Sequence, residues 1–248
     1  MKELIKMFIP NFVLRARLQY LKAKRQSEFM NLTPNEVFTK IYLDGAWGRS
    51  INPRDRYYSG TGSHDEYIVS TYVNSVERYL KSHNMRPNVV DLGCGDFAVG
   101  SRIRDFCGTY TACDVVEPLI VRNKRKFKDR NVEFLTLDLT TDNLPVGDLV
   151  FVRQVLQHLS NKQIESFLSK LIGKYKYLVL TEHLPSTKNF RANLDKPVGA
   201  DIRLGMGDNG SGIVLTEPPF NFPVKNETVL CEVHEGGGII RTNIYELA

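Results

Sequence analysis

From Asn88 onward the chain alternates short β-branched runs with helical stretches, and nothing else in it restricts the fold so strongly. NVVDLG comes first, followed by a helix near Val99 to Phe106, YTACDV, a helix over Pro118 to Phe127, VEFLTLD and DLVFVRQV. A helix over Asn161 to Lys174 and the strand YKYLVLTEH continue the series. Such alternation places neighbouring strands parallel, with helices on both faces of the sheet. Runs that are apolar at consecutive positions, such as LVFV, suit strands buried on both sides. The end changes character: TVLCEVHE, the glycines 236 to 238 and IIRTNIYEL read as a hairpin, which closes the sheet with antiparallel strands. The expectation is an α/β chain with a doubly wound, mostly parallel, seven-stranded sheet.

Upstream, NLTPNEVFTKIY carries Thr33 as a cap, Pro34 at a first helical position and Glu36 in capping-box register. His64 to His83 places Ile68, Tyr72, Val76, Tyr79 and Leu80 on one helical face. Residues 44 to 63 lack periodicity and read as an ordered loop. We therefore expect an N-terminal helical extension and lid over 1–84, and a core over 85–248. A patternless insertion at about 184–226 is long enough to suggest function.

VVDLGCGDFAVG, Val89 to Gly100, runs from a strand into a glycine bend. At the strand ends of a doubly wound sheet, glycine lets backbone approach a ligand. The third glycine, Gly100, comes too late for a dinucleotide fingerprint, and no Lys-Ser/Thr follows to make a P-loop. What fits is Asp91 before the first glycine and a second acid, Asp114, 19 residues past Gly95 at the end of the next strand. A carboxylate there can accept hydrogen bonds from both hydroxyls of a ribose. Asp138 ends the third strand, placed to reach the exocyclic amine of a base.

DLGCG, the spaced Asp114 and LTLDL together make residues 88–183 resemble the class I S-adenosylmethionine-dependent methyltransferases, and the terminal hairpin matches that family's reversed last strand. The resemblance implies S-adenosylmethionine as cofactor, held by Asp91, Gly93, Cys94, Gly95, Asp114, Val115, Asp138, Leu139 and Arg153. The family's frequent third glycine is Phe97 here, so the methionine end of the cofactor is expected to be held differently. YYSGTGSH is the candidate lid for it, with Tyr58, Ser59, Gly60 and Ser63 offering hydroxyls and backbone amides; a plain surface turn is the alternative. SGTGSH and the PPFN stretch within Glu217 to Phe222 also resemble bacterial methyltransferases of surface-polysaccharide loci. That likeness suggests a nucleotide-linked glycan or phosphoramidate precursor as acceptor.

Methyl transfer to a hydroxyl needs alignment, exclusion of water and a base, for which histidine is the usual choice. His158, just after the fourth strand, and His183, closing the fifth, are the catalytic candidates; a hydrogen-bonded structural imidazole is the alternative for each. Tyr57, Gln154 and Arg203 are candidate substrate contacts. Arg203 would hold a phosphate if it were not a solvated loop residue, and Arg153 is a second anion clamp or else a salt bridge within the sheet. No metal is expected, because the strand-end acids are already assigned.

The net charge of +5 is too small to demonstrate a nucleic-acid partner. DNA is not expected; an RNA methyltransferase is kept as a rival by Tyr57, Tyr58 and Trp47 beside Arg49, Arg54 and Arg56, and a noncatalytic cofactor-fold subunit is the rival from another class. The basic leader, seven Lys/Arg against Glu3 and Glu28 in residues 1–30, has no apolar run that spans a membrane and no secretory pattern. A cytoplasmic protein is expected, with either a plain packed helix there or weak peripheral contact with anionic lipid. Four cysteines without CxxC spacing point to reduced structural thiols.

Overall fold

The structure, a computed structural model, describes Arg17 and residues 27–29, 31–50 and 57–248. Most of the basic leader, together with Arg54 and Arg56, lies outside the described residues. Met1–Thr33 and Pro34–Ala248 are separate compact units, and the larger one carries everything below. The boundary at residue 84 falls inside it.

Seven strands form one sheet: β1 Val89–Leu92, β2 Tyr110–Asp114, β3 Glu133–Thr136, β4 Leu149–Arg153, β5 Tyr177–Pro185, β6 Val224–Glu235 and β7 Gly238–Leu247. Their order is β3-β2-β1-β4-β5-β7-β6. The first five pair in parallel, and β7 is antiparallel to both β5 and β6. The order reverses at β1, whose neighbours β2 and β4 lead away on opposite sides, which opens a crevice at its carboxyl end. Because β7 runs backwards, Gly238 at its start pairs with Pro185 at the end of β5. The tip of the hairpin is thus delivered to the same edge as the carboxyl ends of the parallel strands. Gly236 and Gly237 make that turn with φ of 55° and 80°, as the glycine run predicts.

Among the described helices, α1 covers Pro34–Asp44, starting at its proline, and α2 covers Glu66–Ser82 with the Asp65 carboxylate accepting from the Ile68 N–H. α3 is a single turn, Gly100–Ile103, continued by a 3-10 turn at Arg104–Phe106, where one longer helix is expected. α4 is Glu117–Lys126 and α5 is Asn161–Leu168, opened by a Ser160–Gln163 capping box. α5 stops short of Lys174: residues 169–173 turn, with Leu171 still buried and Gly173 at φ 72°. Val73, Val76 and Leu80 of α2 share one apolar cluster with Val89, Ala112, Phe134, Phe151, Val179 and Ile244 of the strands.

The insertion between β5 and β6 is ordered by buried polar side chains. Asn193 donates to the carbonyls of Val214, Glu217 and Pro218, and its own Oδ1 accepts from the Val214 N–H. No helix among the described residues is long and apolar enough to cross a membrane.

Candidate active site

The bend after β1 is as tight as its glycines predict. Gly93 and Gly95 have φ of 76° and 55°, and the Gly93 and Cys94 N–H groups both donate to the Cys113 carbonyl, at 2.8 and 2.9 Å. A Cβ on Gly93 would run into Val155, and one on Gly95 would come within 2.5 Å of Ser59 Oγ. Phe97, at the position of the third glycine, keeps a left-handed backbone at φ 62°. That conformation costs a non-glycine residue about 1–2 kcal/mol. Full burial of its ring among Tyr110, Phe127 and Phe134 contributes about 1.5–3 kcal/mol, enough to offset the cost. The ring therefore serves the core, and the bend retains a glycine-like path without glycine.

Above this bend lies a cavity of about 380 Å³, within the range of small-ligand sites. Its floor is Gly93, Cys94 and Gly95, with Asp114 and Val115 from the end of β2 and Asp138 and Leu139 just past β3. Asp114 accepts from the Gly95 and Val116 N–H groups, both at 3.0 Å, which aims the carboxylate while leaving lone pairs for a ligand. Burial pushes its pKa up to about 6, against those backbone hydrogen bonds. Asp138 Oδ1 accepts from the Thr140 N–H and hydroxyl, at 2.8 and 2.6 Å. Asp91 lies behind the bend: it lines a small adjoining pocket of about 30 Å³ instead, where Tyr110 Oη donates to it at 2.9 Å. Burial raises its pKa to about 7.

The lid covers the cavity as residues 59–63, with Ser59, Gly60 and Ser63 all in its wall. Tyr57 and Tyr58, expected at the substrate and cofactor, do not line it. Tyr57 packs edge-on against Tyr42, and Tyr58 stacks on His64 at 4.4 Å. The lid is fastened to the first glycine bend by Asp96, a residue the sequence reading passed over. Asp96 Oδ2 accepts from the Ser59 N–H at 3.2 Å and from His64 Nε2 at 2.6 Å, while the Asp96 N–H donates to Ser59 Oγ at 2.9 Å. Burial would raise its pKa, but His64 and the Ala98 and Ser59 N–H groups hold it below the usual carboxylate range. Arg153, at the end of β4, fastens the other end of the lid by donating to Gly62 O at 2.5 Å and Ser63 Oγ at 3.2 Å, with its guanidinium over Tyr72. Gln154 follows at φ 55° and lines the cavity.

One wall is aromatic, a feature not anticipated from the sequence: Phe38 and Tyr42 from α1, then Trp47, whose Nε1–H donates to Ala200 O at 3.2 Å and whose ring tilts over His158 at 5.0 Å. The only signal for it in the sequence was spacing, since Phe38 and Tyr42 fall four apart on a helix beginning with a proline. Trp47 is thus built into the cavity wall, which removes it from the aromatic set that favoured RNA.

Both candidate histidines line the cavity, in different states. His158 sits in a 3-10 turn, Leu156–His158, with Nδ1 on Gly199 O at 3.2 Å and Nε2 facing the Gln157 amide at 3.4 Å. Burial, with Lys196 nearby, pushes its pKa down to about 3. His183, 6% exposed, donates from Nε2 to the Glu235 carbonyl at 2.9 Å, with the Glu235 carboxylate 3.7 Å from the same nitrogen. That bond leaves Nδ1 as the lone-pair nitrogen.

Arg203 corrects the sequence reading. It is 1% exposed and does not line the cavity; its guanidinium donates to the carbonyls of Leu194, Leu156, Gln157 and Leu159 and to Asn161 Oδ1. Glu182 caps the other end of the same 3-10 turn, accepting from the Leu156 and Gln157 N–H groups at 3.0 Å each. Every Arg203 donor group is consumed in holding the turn, so none remains for a phosphate. The Glu217–Phe222 stretch also stays off the cavity and is stitched to Asn193. Among the described residues no group of three or more acidic, His or Cys side chains is placed to hold a metal.

Residues 89–174, which run from β1 through α5 and supply the glycine bend, Asp114 and Asp138, match the family described as "Methyltransferase domain". Among solved structures, the chain is similar to the N-methyltransferase NodS from Bradyrhizobium japonicum WM9 in complex with S-adenosyl-L-homocysteine, at 14% identity over 73% of this chain and 88% of that one, with a TM-score of 0.54. It is also similar to the magnesium protoporphyrin IX methyltransferase ChlM from Synechocystis PCC 6803 with bound SAH, at 19% identity over 89% and 97%, with a TM-score of 0.51. At these identities the likeness is one of fold. No curated protein matches the chain.

Proposed function

We propose that the chain is an S-adenosylmethionine-dependent methyltransferase that methylates a hydroxyl of a small molecule. The observation that carries this reading is the convergence of the glycine bend, Asp114 and Asp138 on one lidded cavity. The donor set fits the cofactor: an aimed carboxylate for ribose hydroxyls, a second for a base amine, and a backbone bend with no side chain in the way. Bound there, the cofactor supplies an electrophilic methyl group on a sulfonium.

The chain's own residues do the rest. Asp114 and Asp138 orient the adenosine, and the lid, held shut by Asp96 and Arg153, keeps water out. His183 Nδ1 takes the proton of the acceptor hydroxyl, and the Glu235 carbonyl and carboxylate hold the imidazolium that results. His158 is a wall residue, because an imidazole whose pKa burial pushes down to about 3 is too weak a proton acceptor. The likeness to enzymes of surface-polysaccharide loci supports a glycan precursor as the acceptor class, and a cytoplasmic place of action fits such a precursor.

Calorimetry with S-adenosylmethionine tests the reading. Wild-type protein binds, and Asp114→Ala loses binding beyond detection while keeping its unfolding midpoint within a few degrees. Normal binding by Asp114→Ala refutes the ribose assignment. Absence of binding by the wild type supports the noncatalytic alternative.

A further inference from the structure

The glycine bend is held from behind by a helix residue outside the cavity. Asn123 lies within α4, is 0% exposed and does not line the cavity. Asparagine is a poor helix former, since its side chain competes for backbone hydrogen bonds, and a buried amide is costly unless paired. The pairing here is specific: Asn123 Nδ2 donates to the Gly95 carbonyl at 2.7 Å, and Asn123 Oδ1 accepts from Arg122 Nη1 at 2.9 Å. Arg122 Nη1 also donates to the Asp96 carbonyl at 3.1 Å. Two neighbouring side chains of one helix thus take two consecutive carbonyls of the bend.

The opposite side of the same peptide faces the lid. The Gly95–Asp96 peptide is trans, so its C=O and N–H point in opposite directions from one rigid plane. The C=O meets Asn123, and the N–H meets Ser59 Oγ of the lid at 2.9 Å. The N–H of Gly95 goes to Asp114, the acid assigned to the ribose. Gly95, with φ of 55° and no Cβ, offers little resistance to rotation of that plane, so its orientation depends on these bonds. Without a donor from α4, the buried carbonyl turns toward another partner and carries the N–H away from Ser59.

We propose that Asn123 is a positioning residue for the cofactor and the lid together. From outside the cavity it sets the plane of the Gly95–Asp96 peptide, with Arg122 as its brace, and so aligns the floor beside Asp114 and the seat of Ser59. The cofactor half rests on the methyltransferase reading; the lid half does not.

The test uses full-length protein and measures chymotryptic cleavage at Tyr57 or Tyr58 without cofactor, Trp47 emission, and the calorimetric Kd of S-adenosylmethionine. Trp47, the one tryptophan of the chain, lines the cavity with its Cβ 3.7 Å from where a Gly60 Cβ would stand, so its emission reports the lid. Asn123→Leu, similar in size but without a donor, is expected to speed lid cleavage about 10-fold, shift Trp47 emission to the red and raise Kd about 10-fold. Arg122→Met keeps the Asn123–Gly95 bond and removes the brace, so cleavage and Kd move in the same direction by about 3-fold. A folded Asn123→Leu with wild-type cleavage, emission and Kd overturns the proposal; if that variant does not fold, the same result in Arg122→Met overturns it. A lowered urea midpoint with all of these unchanged overturns it too, because it reduces Asn123 to packing. Failure of the wild type to bind cofactor sinks the methyltransferase reading and leaves cleavage and emission to decide on Asn123.

Discussion

Arg203 shows how a single residue can hold a site without touching it. Its guanidinium gathers the carbonyl end of the Leu156–His158 turn while Glu182 takes the N–H end, so the segment after β4 is gripped from both sides. Removing the guanidinium leaves these buried carbonyls and Asn161 Oδ1 without their donors, which costs about 3 kcal/mol or more in sum. Arg203→Met is expected to lose that much in urea unfolding, and a loss under about 1 kcal/mol, as for an exposed charge, contradicts the role. At the histidines the outcomes diverge. His183→Asn keeps cofactor affinity and lowers kcat about 100-fold or more. His158→Asn mainly lowers stability and leaves most of kcat intact; the reverse pattern would move the base to His158. Asp114 and Asp138 were legible in the sequence because strand-end spacing alone fixes where they point. Arg203, Asp96 and Trp47 were not, since each acts through partners far along the chain: 46 residues for Arg203 and Gln157, 32 for His64 and Asp96, 153 for Trp47 and Ala200.

At the scale of elements, the site is a sheet edge closed by two additions, the lid and the hairpin. The hairpin was readable from its three glycines, and its consequence follows from topology: only a reversed β7 brings Glu235 and His183 together at the cavity. The lid was readable as a segment but not as a latch, because Asp96 looks like one more acid in a glycine-rich bend until the fold brings Ser59 and His64 onto it. α5 was misjudged in length because apolar residues at 168 and 171 keep helical spacing while the backbone has already turned. The latch makes a direct prediction. Asp96→Ala removes the side-chain hydrogen bonds from the Ser59 N–H and His64 together, and leaves the lid tied to the first glycine bend by the residue 96 N–H to Ser59 Oγ. Cofactor affinity should fall about 10-fold, the equivalent of one or two such bonds, and protease cleavage within 57–64 should speed up. Unchanged affinity with unchanged protease resistance would show that Arg153 and the residue 96 N–H secure the lid without the carboxylate.

Over the whole molecule, buried ionisable groups make stability depend on pH in opposite senses on the two sides of a maximum. Burial pushes the pKa of Glu182 up to about 8, Asp91 to about 7 and Asp114 to about 6. Each folded-state carboxyl keeps its proton at a pH where the unfolded chain has released it. The stability they contribute is therefore complete below about pH 4 and lost as pH rises through 6 to 8. His158 works the other way: with its pKa pushed down to about 3, its contribution is present above its ordinary value and lost as pH falls. Asp96, held below the carboxylate range, adds to the acid-side loss. Between about pH 6.5 and 8, Glu182 and Asp91 still give up protons that the unfolded chain has already lost, so the urea midpoint of the cofactor-free protein should decline over that range, while Lys196, pushed down to about 8 by burial, offsets the loss above it. A positively charged cofactor favours ionised Asp114, so its binding releases protons and strengthens as pH rises through about 6. Calorimetry in buffers of differing ionisation enthalpy reads that release directly. A midpoint that stays flat or climbs between about pH 6.5 and 8, or proton uptake on binding, would mean that these carboxylates are already ionised in the folded chain and that the cavity is polarised by another group.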